Sequence, residues 1–184
     1  MGKRSNFERR ERDFYPTPID PVPYLIPHLE PETKFYEPFG GNGALIGHVC
    51  SYGHVCVGAS DIEPQESQYR ISKKNVFDLE KKHVSKAELL ISNSVWPAPG
   101  QRGEPTTGMI VHLSNLKPTW LLLAADFKHN KYFSQKVEDR CRKIVSAGRV
   151  KWVPGSKYTG KENCAWYLFD QPSEQRPVFY GRAA

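Results

Sequence analysis

Short runs of β-branched and aromatic residues alternate along the chain with amphipathic stretches. This alternation predicts an α/β domain, in which crossover helices connect the strands of a mostly parallel sheet. The predicted strands are Lys34 to Glu37, His54 to Ser60, Glu88 to Asn93, Trp120 to Ala125, and a C-terminal antiparallel pair formed by Arg149 to Val153 and Ala165 to Phe169. The fourth predicted strand, Trp120 to Ala125, is apolar throughout, so we expect it near the centre of the sheet.

Apolar residues at helical spacing predict the helices between these strands. The four stripes are Val22/Leu25/Ile26/Leu29, Leu45/Ile46/Val49/Cys50, Met109/Ile110/Leu113/Leu116 and Phe133/Val137/Cys141/Ile144. Asp20 is the predicted N-cap of the first helix, with Pro21 in its first turn, and Pro27 should end that helix early. Gly53 is the predicted C-cap of the second helix and Thr107 the predicted cap of the third.

One domain is expected to account for most of the 184 residues. Residues 1–13 are mainly charged and predict a flexible arm, residues 14–170 form the predicted domain, and residues 171–184 are a C-terminal tail. The sequence has no secretory signal and no apolar run near the ~20 residues that cross a bilayer. We therefore expect a cytoplasmic protein without a membrane partner, and its oligomeric state stays open.

Charge and cysteine content narrow the range of partners. Lysine and arginine outnumber aspartate and glutamate by 26 to 20, which gives a net charge of +6 and favours polyanionic partners, although solubility alone is an equal explanation. The four cysteines and six histidines match no metal-ligand spacing. We expect reduced, mostly buried thiols and no bound metal.

A glycine-rich turn follows the first predicted strand and opens a helix. In Glu37-Pro-Phe-Gly-Gly-Asn-Gly43 the glycines allow a sharp turn and a close approach of the backbone to a ligand. Asp61 ends the next strand, where a carboxylate at the carboxyl edge of an open α/β sheet can accept hydrogen bonds from both hydroxyls of a ribose. Together they predict a nucleoside cofactor site. A tight turn needed only for packing is the alternative.

The order of motifs resembles that of class I S-adenosylmethionine-dependent methyltransferases, particularly amino-methylating DNA enzymes and small phage-encoded relatives. The motifs are DFYPTP, EPFGGNGAL, SDIEP and ISNSVW, and the resemblance covers roughly residues 13–170. It implies a Rossmann-like sheet, S-adenosyl-L-methionine as cofactor, and the cytoplasm of a host cell as the location if a phage encodes the chain.

The resemblance also implies which residues contact the cofactor. Its methionine end would meet Tyr15, Pro16 and Thr17, and its amino acid moiety would lie against Glu37, Gly40, Gly41 and Gly43. Asp61 would hold the ribose and Ile62 would line the adenine. Asn75 stands where the family usually has an aspartate that contacts the adenine amino group; a plain turn residue is the alternative.

Methyl transfer to an exocyclic base amine needs two acceptors for the N–H protons and a flat side chain that holds the flipped base. The family provides them with Asn/Asp-Pro-Pro-aromatic, where this chain has Asn93-Ser94-Val95-Trp96. The Asn93 side chain, the Ser94 carbonyl and the Trp96 ring can still fill these roles, although Trp96 could equally be core. The resemblance therefore predicts an enzyme that methylates an exocyclic amine, with adenine N6 in DNA as the expected target.

The missing prolines leave a second interpretation open. Two prolines would fix the backbone that carries the acceptor carbonyl, whereas Ser94 and Val95 leave it freer to move. The alternative function is a methyltransferase fold that binds cofactor or nucleic acid without turnover, for instance as a phage protein that interferes with host defence.

A segment late in the chain interleaves cations with aromatic residues. The predicted nucleic-acid contacts are Lys151, Trp152, Lys157, Tyr158 and Lys161. Lysines there can bind phosphates while a ring stacks on an unpaired base, and a solvated hairpin loop is an equal alternative. DNA is expected before RNA, with loose sequence preference.

One rival is an oxidoreductase. Tyr132 and Lys136 would share a helical face, as in short-chain dehydrogenases, but the glycines do not follow the dinucleotide order because position 46 is isoleucine. A helix-surface aromatic is the preferred interpretation of Tyr132.

Overall fold

One mixed sheet organises the chain. The computed structural model describes residues 15–94, 104–153, 155 and 157–182, with residues 104 and 105 as backbone only. In this part of the chain the strands are β1 Lys34–Glu37, β2 Val55–Asp61, β3 Ser72–Lys73, β4 Leu89–Ser92, β5 Thr119–Ala124, β6 Cys141–Arg149, β7 Asn163–Phe169 and β8 Val178–Tyr180. Their order across the sheet is β3-β2-β1-β4-β5-β7-β6-β8.

The strand directions confirm the predicted architecture. β1 runs parallel to β2 and β4, and β4 runs parallel to β5, whereas β7 is antiparallel to both β5 and β6. Strand order reverses between β1 and β4, which is the point where an open α/β sheet forms a crevice at its carboxyl edge. β8, from the segment assigned to the C-terminal tail, pairs in parallel with β6 and so adds a strand to the sheet.

Helices cover both faces of the sheet. They are α1 Val22–Leu25, α2 Ala44–Cys50, α3 Glu104–Leu116 and α4 Gln135–Glu138, with 3₁₀ turns at Ile26–His28, Val76–Asp78 and Phe127–His129. The apolar residues of α3 and α4 pack in one core cluster and those of α1 and α2 in a second, on the other side of the sheet. None of the helices in the described ranges is long and apolar enough to cross a membrane.

Three predicted helix caps are wrong. Ser51, not Gly53, is the C-cap of α2, and Gly53 lies two residues further on with a φ of 88°. Pro21, not Asp20, is the N-cap of α1, and no side chain caps that helix. The helix ends at Leu25 and continues as a 3₁₀ turn that contains Pro27, as expected from the missing N–H of proline. Thr107 lies inside α3, which is already helical from Glu104.

The fourth predicted helix is also wrong beyond its first turn. α4 contains four residues, and Cys141 and Ile144 belong to β6. The pairing of β6 with β7 shifts register twice, which offsets the buried positions so that their spacing imitates a helix. The antiparallel pair itself is confirmed, although its first strand is β6 at Cys141–Arg149 and not Arg149 to Val153.

The cysteines fit the expectation of mostly buried thiols. Cys141 and Cys164 are buried, Cys50 and Cys56 are half-buried, and all four are free. Burial raises the pKa of Cys56 to about 11 and that of Cys141 and Cys164 to about 12. These three thiols are therefore protonated at neutral pH. Among the described residues no group of three or more His, Cys, Asp or Glu could hold a metal ion.

Candidate functional site

A buried carboxyl group lies where the strand order reverses, between β1 and β4. Glu37 ends β1 and is 1% exposed. The Phe39 N–H donates to Glu37 Oε1 over 3.1 Å, and the Ser92 hydroxyl at the end of β4 donates to the same oxygen. Glu37 Oε2 is buried and has no hydrogen-bond partner among the described residues. Within the described part of the chain, this oxygen is thus a buried acceptor that no protein group satisfies.

The environment of Glu37 favours its neutral form. Burial raises the pKa of Glu37 to about 8, against the lowering effect of the hydrogen bonds from Ser92 and Phe39. The nearby charge of Asp61 raises this pKa further. At neutral pH the carboxyl is therefore mostly protonated until a cation approaches it.

The glycine loop is tied to the end of β2. The Gly40 N–H donates to the Ser60 carbonyl over 2.9 Å, and the Gly41 N–H donates to Asp61 Oδ2 over 2.8 Å. Gly41 and Gly43 have φ of 51° and 80°, in the left-handed region that favours glycine. The Asp61 bond fixes the loop and the carboxylate to one another, so both sit at the same point of the sheet edge.

A glycine at position 43 is required by packing. A Cβ there would lie 2.6 Å from both Ser67 Oγ and Tyr69 Cδ2. The Tyr69 hydroxyl is also 3.3 Å from the place of a Cβ on Gly47, so the tyrosine lies along α2. Tyr69 is a residue that sequence reasoning missed, because no local pattern marks its contact with the glycine loop. The packing alternative is sufficient to explain Gly43.

Asp61 keeps spare acceptor capacity. Its Oδ1 accepts the Glu63 N–H over 2.8 Å, so each carboxylate oxygen holds one backbone bond. A carboxylate oxygen has two acceptor positions, which leaves room for further donors such as the hydroxyls of a ribose. Asp61 is half-buried, which keeps the group accessible at the tip of β2.

Two exposed apolar side chains follow the tip of β2 along the chain: Ile62 directly, and Phe77 on the 3₁₀ turn after β3, where its ring centre lies 5.7 Å from that of His112 on α3. Ile62 is 54% exposed and Phe77 is 51% exposed. The Lys74 N–H donates to the Asp61 carbonyl over 2.8 Å, which places the 3₁₀ turn that carries Phe77 beside β2. Asn75 is exposed and caps this turn, since its Oδ1 accepts the Phe77 N–H over 3.0 Å. Phe77 is a candidate site residue that sequence reasoning missed.

The end of β4 meets the N-terminal segment of the described chain. Asn93 Nδ2 donates to Thr17 Oγ1 over 3.0 Å, and Thr17 is 7% exposed. Asn93 Oδ1 and Ser94 Oγ are buried without hydrogen-bond partners among the described residues. Tyr15 and Pro16 are half-buried, and Trp96 lies outside the described residues. The structure thus brings the first and last of the sequence motifs into direct contact.

The cationic segment between β6 and β7 divides into a packed part and an exposed part. The Gly160 N–H donates to the Val150 carbonyl over 2.7 Å, and Trp152 is half-buried against the core on the α1 side. Tyr158 is 62% exposed. The three lysines of the segment, Lys151, Lys157 and Lys161, are exposed as well. Exposed side chains thus stand on both sides of the half-buried Trp152.

The structure does not have the geometry on which the oxidoreductase interpretation depends. Tyr132 precedes α4, which begins at Gln135, so Tyr132 and Lys136 do not share a helical face. Lys131 Nζ lies 5.0 Å from the centre of the Tyr132 ring. Tyr132 is thus not the helix-surface aromatic that the sequence predicted.

Comparison with known proteins identifies the fold. No protein-family model matches the sequence, and no curated protein matches it. A protein described as a hemolysin from Lactococcus lactis is 9% identical with a TM-score of 0.58, covering 89% of this chain and 91% of that one. A protein described as an RNA methyltransferase from Pyrococcus horikoshii is 14% identical with a TM-score of 0.57, covering 96% and 94%.

A third similar structure is the methyltransferase subunit of a type I restriction-modification system from Streptococcus thermophilus. It is 9% identical with a TM-score of 0.58, and the match covers 91% of this chain and 47% of the subunit. The chain has the fold of S-adenosylmethionine-dependent methyltransferases. At these identities the likeness concerns the fold alone, and the chain spans about half the length of the restriction subunit.

Within the methyltransferase fold, the predicted cofactor residues gather along one edge of the sheet. Glu37, Gly41, Asp61 and Asn93 all lie at or just beyond the carboxyl ends of β1, β2 and β4. Ser92 joins them as a residue that sequence reasoning missed. Its partner Glu37 is 55 positions earlier in the chain, so only the pairing of β1 with β4 reveals the contact.

Proposed function

We propose that the chain is an S-adenosylmethionine-dependent methyltransferase that acts on an exocyclic amine, with adenine N6 in DNA as the target. The observation that carries the proposal is the amide of Asn93, which is held by Thr17 and whose buried oxygen has no partner among the described residues. An acceptor of this kind is what an exocyclic amine needs when its lone pair is aimed at a methyl donor. The similar restriction subunit and the net charge of +6 favour DNA.

The edge of the sheet formed by Glu37, the glycine loop and Asp61, called the cofactor edge below, suits a cationic nucleoside. S-adenosyl-L-methionine supplies an electrophilic methyl group when bound. The unpaired Glu37 Oε2 is a buried acceptor that a positive charge would satisfy, and that charge would favour the ionised carboxylate. Asp61 would accept from the ribose hydroxyls, and Ile62 and Phe77 offer exposed apolar surface for the adenine ring.

The other predicted site residues would contact the cofactor, the target base or the nucleic acid. Tyr15, Pro16 and Thr17 would border the methionine end, and Asn75 would use its amide nitrogen toward the adenine, since its Oδ1 caps the turn. The Ser94 carbonyl would be the second acceptor and Trp96 the stacking surface for the flipped base. Lys151, Lys157, Tyr158 and Lys161 would contact the nucleic acid.

Thr17 replaces part of the rigidity that two prolines would give. Asn93 Nδ2 donates to Thr17 Oγ1, which anchors the amide and leaves its oxygen without a partner among the described residues. The carbonyl of Ser94 has no such support from a proline ring. A displacement of about 1 Å can lower a rate by on the order of a hundredfold, so Thr17 is proposed as a positioning residue.

The second candidate function is the same fold without turnover. The observation that favours it is the Ser94-Val95 pair, which stands where the family has two prolines. In this case the chain would bind the cofactor or nucleic acid, in an anti-defence or regulatory role, and leave the bases unmodified.

Mass spectrometry of DNA after incubation with protein and cofactor tests the proposal. Wild type should yield N6-methyladenine, and Asn93→Ala should lower the yield at least about a hundredfold while calorimetry shows unchanged cofactor affinity. Asn115→Ala, an exposed asparagine on α3, is the matched control and should behave as wild type. Unmodified DNA from a wild type that binds the cofactor would support the second function instead.

A further inference from the structure

A cavity of about 500 Å³ lies beside the end of β5 and along the second half of β6, with the start of β7 and Phe179 of β8 in its wall. None of its lining residues belongs to the proposed cofactor site. The residues relevant here are Asp126, Lys128, His129, Asn163, Phe179 and Arg182. The cavity therefore combines an aromatic ring and cationic groups with side chains able to form hydrogen bonds.

A lysine ammonium group lies beside the aromatic wall of the cavity. Phe179, in β8, is 58% exposed, which is unusual for a phenylalanine in a sheet. Lys128 Nζ lies 4.7 Å from the centre of its ring. A phosphate bound to this ammonium group would have an aromatic surface immediately beside it, which is the pairing found where proteins bind single-stranded nucleic acid.

The second cation is held in place by its neighbours. Arg182 Nε donates to the Tyr24 hydroxyl over 2.7 Å, and the guanidinium carbon lies 5.2 Å from the centre of the Tyr24 ring. A Cβ on Gly148 would be 2.9 Å from Arg182 Nη1, so the glycine provides space for the guanidinium. The position of Arg182 thus depends on two elements remote in sequence, α1 and β6.

The balance of charge fits one phosphate. Lys128 and Arg182 are cations, His129 adds a titratable ring, and Asp126 is the acid among the lining residues. The carboxylate disfavours a second phosphate close by, but it can accept from a base amino group, as can the amide of Asn163. This set of groups is complementary to a single nucleotide unit.

We propose that this cavity binds a nucleotide of the same strand whose target base enters the acceptor site. The phosphate would lie between Lys128 and Arg182, and the base would stack on Phe179. The inference rests on the proposed function and specifies the nucleic-acid contact. It uses residues other than the predicted loop lysines, none of which lines the cavity.

The position of the cavity fits a strand that runs along the sheet edge. Asn93 follows β4, and the cavity begins beside β5 and reaches β6, two strands further. At about 4.8 Å between strands, β8 with the proposed stacking ring of Phe179 is roughly 19 Å from β4. That separation corresponds to five or six stacked nucleotides at about 3.4 Å each.

Binding of a fluorescent 12-nucleotide single-stranded DNA tests the proposal. Phe179→Leu, which keeps an apolar side chain without a stacking surface, should weaken binding about tenfold. Lys128→Gln should reduce the slope of log affinity against log salt by about 0.7. The matched controls are Val178→Ala on the same strand and Lys136→Gln on α4, neither of which lines the cavity, and both should bind as wild type.

A second binding measurement uses adenosine 5′-monophosphate, because a free nucleotide carries the same kinds of phosphate, sugar and base groups as the DNA. If the Phe179 and Lys128 variants bind the 12-nucleotide DNA as wild type does, the proposal is overturned, whether or not they lose the mononucleotide. Calorimetry with the cofactor on each variant confirms folding. A wild type that binds no cofactor would refute the proposed function, while the DNA measurements would still decide the role of the cavity.

Discussion

Replacing Glu37 with glutamine removes a titratable group from the centre of the site and keeps its shape. The amide oxygen can accept from the Phe39 N–H and the Ser92 hydroxyl, as Glu37 Oε1 does. The amide nitrogen would occupy the place of Oε2, which is buried without a partner among the described residues. Glutamine therefore resembles the protonated carboxyl, and the two proteins should differ only where Glu37 is ionised.

The expected difference follows from the raised pKa. Burial takes the pKa of Glu37 from 4.5 to about 8, so the folded protein holds the proton more tightly than the unfolded chain. The contribution of Glu37 to stability is thus fully present below pH 4.5 and declines as the pH rises towards 8. With about 1.4 kcal/mol for each unit, wild type should be roughly 3 kcal/mol less stable than Glu37→Gln at pH 7.

Urea unfolding at pH 5, 7 and 8.5, without cofactor, measures this difference. The two proteins should have similar free energies of unfolding at pH 5, and Glu37→Gln should be increasingly the more stable one at the higher values. Glu88→Gln, an exposed carboxylate at the opposite end of the same pair of strands, controls for the general effect of removing a negative charge. A difference that stays constant across this range would refute the reasoning.

Three further substitutions test other parts of the site. Thr17→Val should lower kcat about tenfold or more with little change in KM, while Thr17→Ser restores activity, because the hydroxyl orients the Asn93 amide. Gly43→Ala should lower the free energy of unfolding by about 1–3 kcal/mol in thermal melts, more than Gly53→Ala, which has a similar φ but open space around it. Asp61→Asn should weaken cofactor binding at least about tenfold by calorimetry, since an amide nitrogen would face a backbone N–H.

The elements around the cofactor edge could be predicted from local sequence. The aromatic pair Phe35-Tyr36 is followed by a proline and a glycine turn, and the strand Lys34–Glu37 has the predicted bounds. β2 ends at Asp61, as the change from apolar to polar residues indicates. Local signals were sufficient here because buried parallel strands are continuous apolar runs and glycines mark the turns after them.

Long-range pairing explains what local patterns missed. In β6 the register shifts place Cys141 and Ile144 at a spacing that also fits a helix, and only the pairing with β7 decides between the two. β8 was missed because three residues in a polar tail give no strand pattern, and its partner β6 supplies the hydrogen bonds. Phe77 was also missed, because the residues next to it in sequence do not show that its side chain is exposed.

The physical case for a ligand depends on groups that the fold alone does not need. Glu37 lowers the stability of the free protein at neutral pH, because a carboxyl with a pKa of about 8 ionises only at a cost. Asn93 likewise has a buried acceptor without a donor among the described residues. Such groups are expected where a bound molecule completes the hydrogen bonding, since most buried polar atoms in a stable fold are paired. Their position on two adjacent strands, β1 and β4, puts the acceptor proposed for the cofactor beside the acceptor proposed for the target amine.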